Sequence, residues 1–381
     1  MTVAGITSTG SKRPDALFGD GGSGPQRMVR ARGCIVTAAD GAEYVDFVMG
    51  LGAVALGYGH PAVDGAAMEA IARGSVGPIP PADEYLLANE LCALMPWLEQ
   101  VRFLKSGAEA VAAAVRLART ATGRDQTLGC GYHGWLDWCS DARGVPAATR
   151  SLHDTLRFND SEHARTAIRE AGDRLACVVV EPVIDAEPTV EWLQTLRAET
   201  EQAGALLIFD EIKTAFRIAL GGATERWKVV PDLMVLGKAF ANGFPLAAVG
   251  GRADIMRRVD ETWISSTLAT EFVSLAAARA TINVMKTEGV PARLHLLGSR
   301  LFDGFRRLAA THERHGMRAS GIPEMCYLRF ADDALSGRVA AGCAAEGLLF
   351  KRSAYNFVSL AHDEGTIDRA LAIIEHVVSR C

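Results

Sequence analysis

The sequence predicts an α/β protein with a large domain, built on a mainly parallel sheet covered by helices, and a smaller α+β domain. Between about residues 100 and 251, short apolar segments of strand length alternate with amphipathic segments of helical length. This alternation is typical of parallel strands joined by crossover helices. After about residue 290 the pattern becomes a less regular mixture of helix and strand, which indicates a second domain.

The composition is that of an ordinary globular protein. The chain has 381 residues, of which 49% are apolar and 22% charged, with a formal net charge of −5. No long basic run is present, so nucleic acid and anionic membranes are not expected as partners. No segment resembles a signal peptide or a membrane span, and we therefore expect a cytoplasmic protein. Eight cysteines are scattered without C-x-x-C, which favours reduced structural thiols over disulfides or a metal site.

The amino-terminal part of the chain is predicted to have two segments. The first is rich in Gly, Ser and Thr without periodicity, so we expect a mobile lead-in. The second contains CIVTA and EYVDFV on either side of Asp40-Gly41, which predicts a hairpin. The predicted division is a lead-in (1–24), a segment packing with the small domain (25–60), the large domain (61–288) and the small domain (289–381).

Six apolar segments are predicted to form the large sheet. Helical segments such as EWLQTLRAETEQ (191–202), which ends before Gly204, separate several of them. A long helix from about Glu271 to Lys286 leads to the small domain. The predicted strands are VRFLKSG, TLGCGY, CVVVEPV, ALLIFDEI, LMVLGKA and LAAVGG.

Lys238 is the most informative residue of the chain because a carboxylate is predicted to lie beside it. Asp210 ends the apolar run LLIFD and Lys238 follows the apolar run LMVLG, so the two lie at neighbouring strand ends. A lone lysine in this position would most often cap a strand in solvent. An amine next to a carboxylate, however, is the layout that holds pyridoxal 5'-phosphate (PLP), with the lysine as Schiff base and the carboxylate on the pyridine nitrogen.

The segment FLKSGAEAVAAAVRLARTATGR predicts a second part of the same site. A strand ends at Lys105, the triplet Ser106, Gly107 and Ala108 turns the chain, and an alanine-rich helix begins. The free N–H groups of the first turn, with the Ser106 hydroxyl, suit a phosphate. Glu109 has an ordinary structural explanation, since acidic residues are common at helix starts, where they interact favourably with the helix dipole.

Aromatic and apolar side chains are predicted on the two faces of a cofactor ring. Tyr132 or His133, in GYHGW directly after a strand, could stack on one face, although an aromatic at the rim of the core is an equally good explanation. Ile212 lies two residues past Asp210 and so points to the same side of the strand. We expect Ile212 on the opposite ring face.

Together these segments resemble the class III (omega-type) PLP-dependent aminotransferases of fold type I, and most closely the glutamate-1-semialdehyde aminomutase branch. The likeness runs from Pro25 on and includes SGAEAVAAAVRLARTATGR, GYHGW, VVVEPV, IFDEIKTAFRIALGGA and LGKAFANGFPLAAVGG in order. It implies that Lys238 is the Schiff-base lysine, Asp210 the pyridinium partner, Ser106 to Ala108 the phosphate cup and Tyr132 the stacking ring. Thr267 matches the family threonine that reaches the phosphate in the neighbouring subunit, which implies a homodimer with shared sites.

The chain departs from the aminomutase pattern in ways that bear on its reaction. Where the aminomutase has GTLSGNP this chain has SSTLATEF, with Glu271 for the Asn and Phe272 for the Pro. The stretch between GYHGW and RFND is shorter than the aminomutase gating loop, and EPVIDAEPT lacks the Gly-Asn that follows EPV there. These departures favour an aminotransferase with separate donor and acceptor, and leave an aminomutase or racemase as the alternative. WISSTLATE and DEIKTAFR also resemble enzymes of specialised metabolism that aminate sugar or cyclitol carbonyls.

The expected reaction is transfer of an amino group from an amine or amino-acid donor to a carbonyl acceptor by ping-pong kinetics, with Lys238 moving the proton. A nucleotide-binding oxidoreductase would need G-x-G-x-x-G after a strand, which this sequence lacks. Glu181 is a candidate cofactor contact, with capping of a strand end as the alternative. The candidate substrate contacts, each with a structural alternative, are Arg27, Trp135, Glu211 and Arg352.

Overall fold

The computed structural model describes residues 2–19 and 22–381 and divides them into two units. The large unit is Ala62–Glu288, and the small unit combines Met1–Pro61 with Gly289–Cys381. Part of the predicted lead-in, residues 1, 20 and 21, lies outside the described residues.

The strands of both units follow in chain order. They are β1 Met28–Arg32, β2 Ile35–Ala38, β3 Glu43–Asp46, β4 Gln100–Leu104, β5 Gln126–Cys130, β6 His153–Thr155, β7 Leu175–Val180, β8 Leu206–Asp210, β9 Leu233–Leu236, β10 Ala247–Gly251, β11 Arg318–Ile322, β12 Met325–Arg329, β13 Leu348–Leu349 and β14 Asn356–Phe357.

The α-helices also follow in chain order, with short 3₁₀ turns between some of them. They are α1 Pro14–Phe18, α2 Pro61–Ala72, α3 Ala82–Leu94, α4 Gly107–Thr122, α5 Ala147–Arg150, α6 Ser161–Ala171, α7 Val190–Ala203, α8 Gly222–Trp227, α9 Ala253–Met256, α10 Phe272–Thr287, α11 Val290–Thr311, α12 Asp333–Ala345 and α13 Glu364–Ser379.

The large unit is built on a seven-stranded sheet in the order β4-β10-β9-β8-β7-β5-β6. Strand β10 runs antiparallel to both of its neighbours, and the other pairs are parallel. The predicted α/β fold with a mainly parallel sheet is therefore confirmed. The prediction missed β6, because the segment HDT has no apolar pattern that would mark a strand.

Helices cover both faces of this sheet because successive strand residues point to opposite sides. Cys177 and Val179 of β7 pack in the core beneath α4, whereas Val178 and Val180 pack in the core with α6 and α7. All of these strand residues are buried, as expected for a central parallel strand. The sheet is thus held rigidly from both sides, which fixes the positions of its strand ends.

The ends of helix α4 are set by local sequence signals. Ser106 caps it in a capping box with Glu109, a device worth about 1 kcal/mol. The helix ends at Gly123, whose φ of 66° lies in the left-handed region that glycine tolerates best. Between these caps an alanine-rich face packs on the sheet, so the start of α4 is fixed next to the end of β4.

The small unit contains two small sheets, β1-β2-β3-β13 and β11-β12-β14, with α11, α12 and α13. The predicted hairpin is the antiparallel pair β2 and β3. Within the predicted lead-in, α1 places Phe18 in a cluster with Ala340 and Ala344 of α12. A proline at the start of α1 is the local signal for this short helix. The mobility of the lead-in stays a prediction.

Candidate active site

The residues predicted to carry the chemistry follow strands of the large sheet at one edge. Asp210 ends β8, Lys238 follows β9, Glu181 follows β7 and the segment 131–135 follows β5. These strands are parallel, so their carboxyl ends meet at the same edge. Such an edge is the usual ligand site of an open α/β sheet.

Lys238 has an environment that disfavours its charged form. Burial, together with the positive charge of Lys213, lowers the pKa of Lys238 to about 8. Glu181 and Asp210 oppose this effect. The backbone of Lys238 has a φ of 46°, a left-handed conformation that costs roughly 1–3 kcal/mol in a non-glycine residue. Strain and an amine of reduced basicity at one residue are typical of a functional position.

Asp210 is buried and keeps free acceptor capacity. One carboxylate oxygen, Oδ2, lies 2.9 Å from Nδ1 of the buried His133, and Oδ1 accepts a hydrogen bond from the Ile212 backbone N–H at 3.2 Å. An ionised carboxylate offers about four lone-pair directions, so further donors can bind. His133 therefore orients the carboxylate and leaves room on it.

The first turn of α4 presents backbone donors. The Glu109 carboxylate accepts from both the N–H and the hydroxyl of Ser106 at 2.9 Å. The N–H groups of Gly107 and Ala108 have no hydrogen-bond acceptor within residues 2–19 and 22–381. Since α4 is 16 residues long, its dipole adds to the attraction of an anion at this end.

The GYHGW segment lies against the start of α4. A Cβ placed on Gly134 would come within 2.5 Å of the Ala108 Cβ, so the two backbones are in close approach, and Gly134 has a φ of 102°. Tyr132 and Trp135 are 70% and 74% exposed. His133 instead points inward, with its ring 6.0 Å from that of Trp138. Of the two candidate stacking residues, the structure thus places His133 on Asp210 and leaves the Tyr132 ring accessible.

Ile212 lies between the start of α4 and the residue that precedes Lys238. A Cβ on Gly107 would lie 2.5 Å from Ile212 Cδ1, and a Cβ on Gly237 would lie 3.4 Å from Ile212 Cγ1. The Ile212 side chain is thus in contact with both the start of α4 and the residue that precedes Lys238. That Ile212 covers the ring face opposite the aromatic side chain stays a prediction.

Comparisons with known proteins decide the family. The class-III aminotransferase family model matches residues 21–378. The glutamate-1-semialdehyde 2,1-aminomutase of Thermomicrobium roseum is 36% identical to the chain, over 95% of the chain and 93% of that protein. The Sphingopyxis sp. MTA144 FumI protein, solved in its PLP internal aldimine form, has a TM-score of 0.88 at 26% identity, covering 93% of this chain and 89% of its own. The β-phenylalanine aminotransferase of Variovorax paradoxus has a TM-score of 0.85 at 28% identity, with 93% and 87% covered.

The chain belongs to the class III aminotransferase family. Class III aminotransferases use PLP, so the aminotransferase, the cofactor and fold type I predicted from the sequence are confirmed. The donor set of this aminotransferase fits the cofactor: a lysine of lowered basicity, a carboxylate with unused lone pairs, and helix-start amides without an acceptor among the described residues. In that described part, no group of His, Cys, Asp and Glu is arranged to hold a metal ion, and no helix is long and apolar enough to cross a membrane.

The candidate substrate contacts of the aminotransferase have different surroundings. Glu211 is fully buried, with its carboxylate bound to Thr214 and to the first residues of α8. Arg352 lies in the small unit, where it binds Asp333 and the Ala16 carbonyl. Arg27, also in the small unit, is exposed and donates to the Gln26 carbonyl at 2.7 Å.

Thr267 is exposed in a turn before α10. It does not cap that helix, because Glu271 supplies the cap by accepting from the N–H groups of Val273 and Ser274. Glu271 also pairs with Lys105 at 2.6 Å. The ordinary structural explanation for Thr267, a helix cap, is thereby removed.

Two charged residues of the site were not singled out from the sequence. Lys213 is buried and pairs with Glu181 at 2.9 Å, and Arg217 is fully buried with its positive charge acting on Lys238. Both follow Asp210 in the segment DEIKTAFR. A signal was present, since two cations in a short segment between buried strands must find partners.

Proposed function

We propose that this protein moves an amino group from an amine or amino-acid donor to a carbonyl acceptor, with donor and acceptor using one site in turn. The observation that supports this most is the placement of the Lys238 amine and the Asp210 carboxylate at the ends of adjacent parallel strands. PLP, when bound, supplies the aldehyde and the electron sink that the reaction needs. The remaining roles belong to the side chains of this chain.

Lys238 is proposed to bind the cofactor and then to move the proton of the substrate carbon. With a pKa of about 8, about a tenth of the amine is uncharged at pH 7, against about 0.03% for an ordinary lysine. An uncharged amine is the nucleophile in the first role and the base in the second. The environment of Lys238 therefore raises the active fraction several-hundred-fold.

Asp210 is proposed to hold the pyridine nitrogen in its protonated form. Its carboxylate keeps lone pairs for an N–H donor, and the contact with His133 fixes its orientation. Gly107 and Ala108 are proposed to bind the phosphate through their N–H groups, with Ser106 as the capping residue of that turn. Tyr132 and Ile212 are proposed to contact the two ring faces.

An intramolecular transfer is the second candidate, because the Thermomicrobium roseum relative named as an aminomutase is 36% identical along nearly the whole chain. The two reactions differ in what they consume. If donor and acceptor are supplied together, only an aminotransferase gives net exchange between them. If glutamate-1-semialdehyde is supplied alone and is consumed, the aminomutase reaction is present. A sugar or cyclitol carbonyl as acceptor rests on WISSTLATE and DEIKTAFR, and a panel of such acceptors tests it.

We also propose a homodimer in which Thr267 of one chain binds the phosphate held by the α4 start of the other. Thr267 is exposed, and its neighbours Trp263 and Leu268 are 82% and 53% exposed. Large apolar side chains exposed together are typical of a surface that another chain covers.

Mixing inactive chains tests this arrangement. Thr267→Ala chains combined with Lys238→Ala chains give heterodimers with one doubly altered site and one intact site. Equal mixing should then restore about a quarter of the wild-type activity, since half of the dimers are mixed. If heterodimers form and activity stays absent, Thr267 does not act across the interface.

A further inference from the structure

The segment that carries Thr267 is anchored on both sides by side chains from β4 and α4. On its amino-terminal side, Arg102 of β4 donates to the Ile264 carbonyl at 3.0 Å, and Arg116 of α4 donates to the Trp263 carbonyl at 2.7 Å. Ile264 is buried in the same core as α4. This side of the segment is therefore fixed to the two elements that flank the first turn of α4.

The carboxyl-terminal side of the segment is anchored by Lys105, the last residue before the cap of α4. The Lys105 ammonium lies 2.6 Å from Oε1 of Glu271 and donates to the Pro245 carbonyl at 3.0 Å. The Lys105 and Glu271 side chains are only 17% and 14% exposed, so salt screens the pair weakly. Burial raises the pKa of Glu271, but the hydrogen bonds from Lys105 and Ser274 outweigh this effect and keep the carboxylate charged at neutral pH.

Between these two anchors the chain makes consecutive turns that expose Thr267. The Ala269 N–H donates to the Ser266 carbonyl at 3.1 Å, and the Glu271 N–H donates to the Leu268 carbonyl at 3.2 Å. Ala269 is buried, whereas Thr267 and Leu268 are exposed. Because the turns link these residues directly, the position of Thr267 depends on the position of Glu271.

The Glu271 carboxylate is also fixed in orientation by the start of α10. Its Oε2 accepts from the Val273 N–H at 2.7 Å, and its Oε1 accepts from the Ser274 N–H at 2.9 Å as well as from Lys105. Removing the Lys105 ammonium would leave this helix cap in place and break only the connection to the end of β4. The ion pair can thus be tested separately from α10.

We propose that Lys105 and Glu271 are positioning residues for phosphate binding, because their ion pair fixes the Thr267 segment (residues 265–270) to the first turn of α4. This inference rests on the proposed phosphate site and on the proposed role of Thr267. The pair would hold the N–H groups of Gly107 and Ala108 in place at one site and Thr267 at the site of the partner subunit. A pair that only fastened β4 to α10 would stabilise the fold without favouring a ligand that carries a phosphate.

The test compares PLP with pyridoxal, which lacks the phosphate, in the full chain freed of cofactor. Equilibrium dialysis gives the Kd of each, and the ratio of the Kd for pyridoxal to the Kd for PLP is the phosphate preference. Lys105→Met should lower this preference about tenfold, the lower end of what one hydrogen bond to a charged group contributes. Lys105→Arg keeps a cation opposite Glu271 and should restore most of the preference. Lys286→Met removes an exposed lysine of α10 and is the matched control, which should leave the preference unchanged.

Glu271→Gln separates positioning from a simple effect of charge. Lys105→Met removes a positive charge and Glu271→Gln removes a negative one, so a direct attraction between Lys105 and the phosphate would shift the preference in opposite directions. Positioning predicts a fall in both variants, and the double variant should fall no further, because the pair acts as a unit. If Lys105→Met does not fold, Glu271→Gln alone decides. An unchanged or increased phosphate preference in Glu271→Gln would overturn the inference.

The wild-type protein separates this inference from the proposed function. If it binds pyridoxal as tightly as PLP, the first turn of α4 is not a phosphate site, and the inference is overturned together with that proposal. If it prefers PLP and the variants of the pair keep the full preference, the inference alone is overturned. A lowered preference in both single variants, restored by Lys105→Arg, supports both.

Discussion

Asp210 and Glu211 are adjacent carboxylates at the end of one strand, and their surroundings differ completely. The Glu211 carboxylate accepts hydrogen bonds from the hydroxyl of Thr214, the N–H of Ala223, and both the N–H and the hydroxyl of Thr224. Burial raises its pKa, and these donors oppose the rise. Glu211 thus fixes the start of α8 to the end of β8.

Within residues 2–19 and 22–381, Asp210 has fewer donors, His133 and the backbone N–H of Ile212, and it retains acceptor capacity. Both carboxylates are buried, so burial alone does not distinguish a functional carboxylate from a structural one. What distinguishes them is whether the protein already supplies all the donors that the carboxylate can use. We expect substitution of Asp210 to lower the turnover rate and substitution of Glu211 to lower the free energy of unfolding.

The largest effect is expected at the amine beside Asp210. Lys238→Ala should abolish measurable amino-group transfer and leave the fold intact, because alanine can neither bind the cofactor covalently nor move a proton. Steady-state assays and circular dichroism check the two parts. Lys228→Ala removes an exposed lysine of the same unit and serves as the control. Near wild-type transfer by Lys238→Ala would remove this residue from the chemistry.

Asp210→Asn should lower kcat by about 10- to 150-fold and weaken cofactor binding. A neutral amide does not stabilise a protonated ring nitrogen as a carboxylate does, and a hydrogen bond to a charged partner is worth roughly 1.5–3 kcal/mol. Rate and cofactor affinity are measured on the same preparation. An unchanged rate with unchanged affinity would show that Asp210 does not contact the cofactor.

Glu211→Gln tests whether the second carboxylate has a structural role. Placing an amide N–H₂ among these donors should lower the free energy of unfolding by about 1–3 kcal/mol, because a buried acceptor is lost. The kcat per folded molecule should stay within about twofold of wild type. Urea unfolding and active-site titration measure the two quantities. A large fall in kcat without loss of stability would place Glu211 among the reacting groups.

The environment of Lys238 also predicts a pH dependence. Below its pKa of about 8, Lys238 is mainly protonated and has no lone pair for the cofactor aldehyde. The rate of PLP capture by the cofactor-free protein should therefore rise about tenfold per pH unit up to about 8 and then level off. Stopped-flow absorbance records this rate. A rise that continued to above pH 10 would mean that Lys238 has the basicity of an ordinary lysine.

Much of the fold could be predicted because its sheet is built from continuous apolar segments, which mark central parallel strands. Asp210 and Lys238 could be placed for the same reason, since both follow such segments directly. The contact between His133 and Asp210 could not, because these residues are 77 positions apart and meet only through the order of the strands.

The partners of the other charged residues also depend on three-dimensional packing. Glu211 is separated from its partners in α8 by 12 and 13 positions, so its structural role emerges only once α8 packs on the strand end. Lys213 follows a strand end, where a lysine side chain is ordinarily exposed to solvent. Its partner Glu181 follows the neighbouring strand, so the sequence alone does not reveal the pair. Sequence patterns thus locate strand ends better than they identify which side chains pair across them.

The central claim is that Lys238 and Asp210 form the site of amino-group transfer between two separate substrates, and a half-reaction tests it most directly. PLP-loaded protein is mixed with an amine donor while its visible absorption band is recorded, and a carbonyl acceptor is then added. We expect the band to disappear with the donor and to return with the acceptor in wild type, and we expect Lys238→Ala to show neither change. A wild-type band that no donor removes, or a Lys238→Ala protein that completes the cycle, would contradict it.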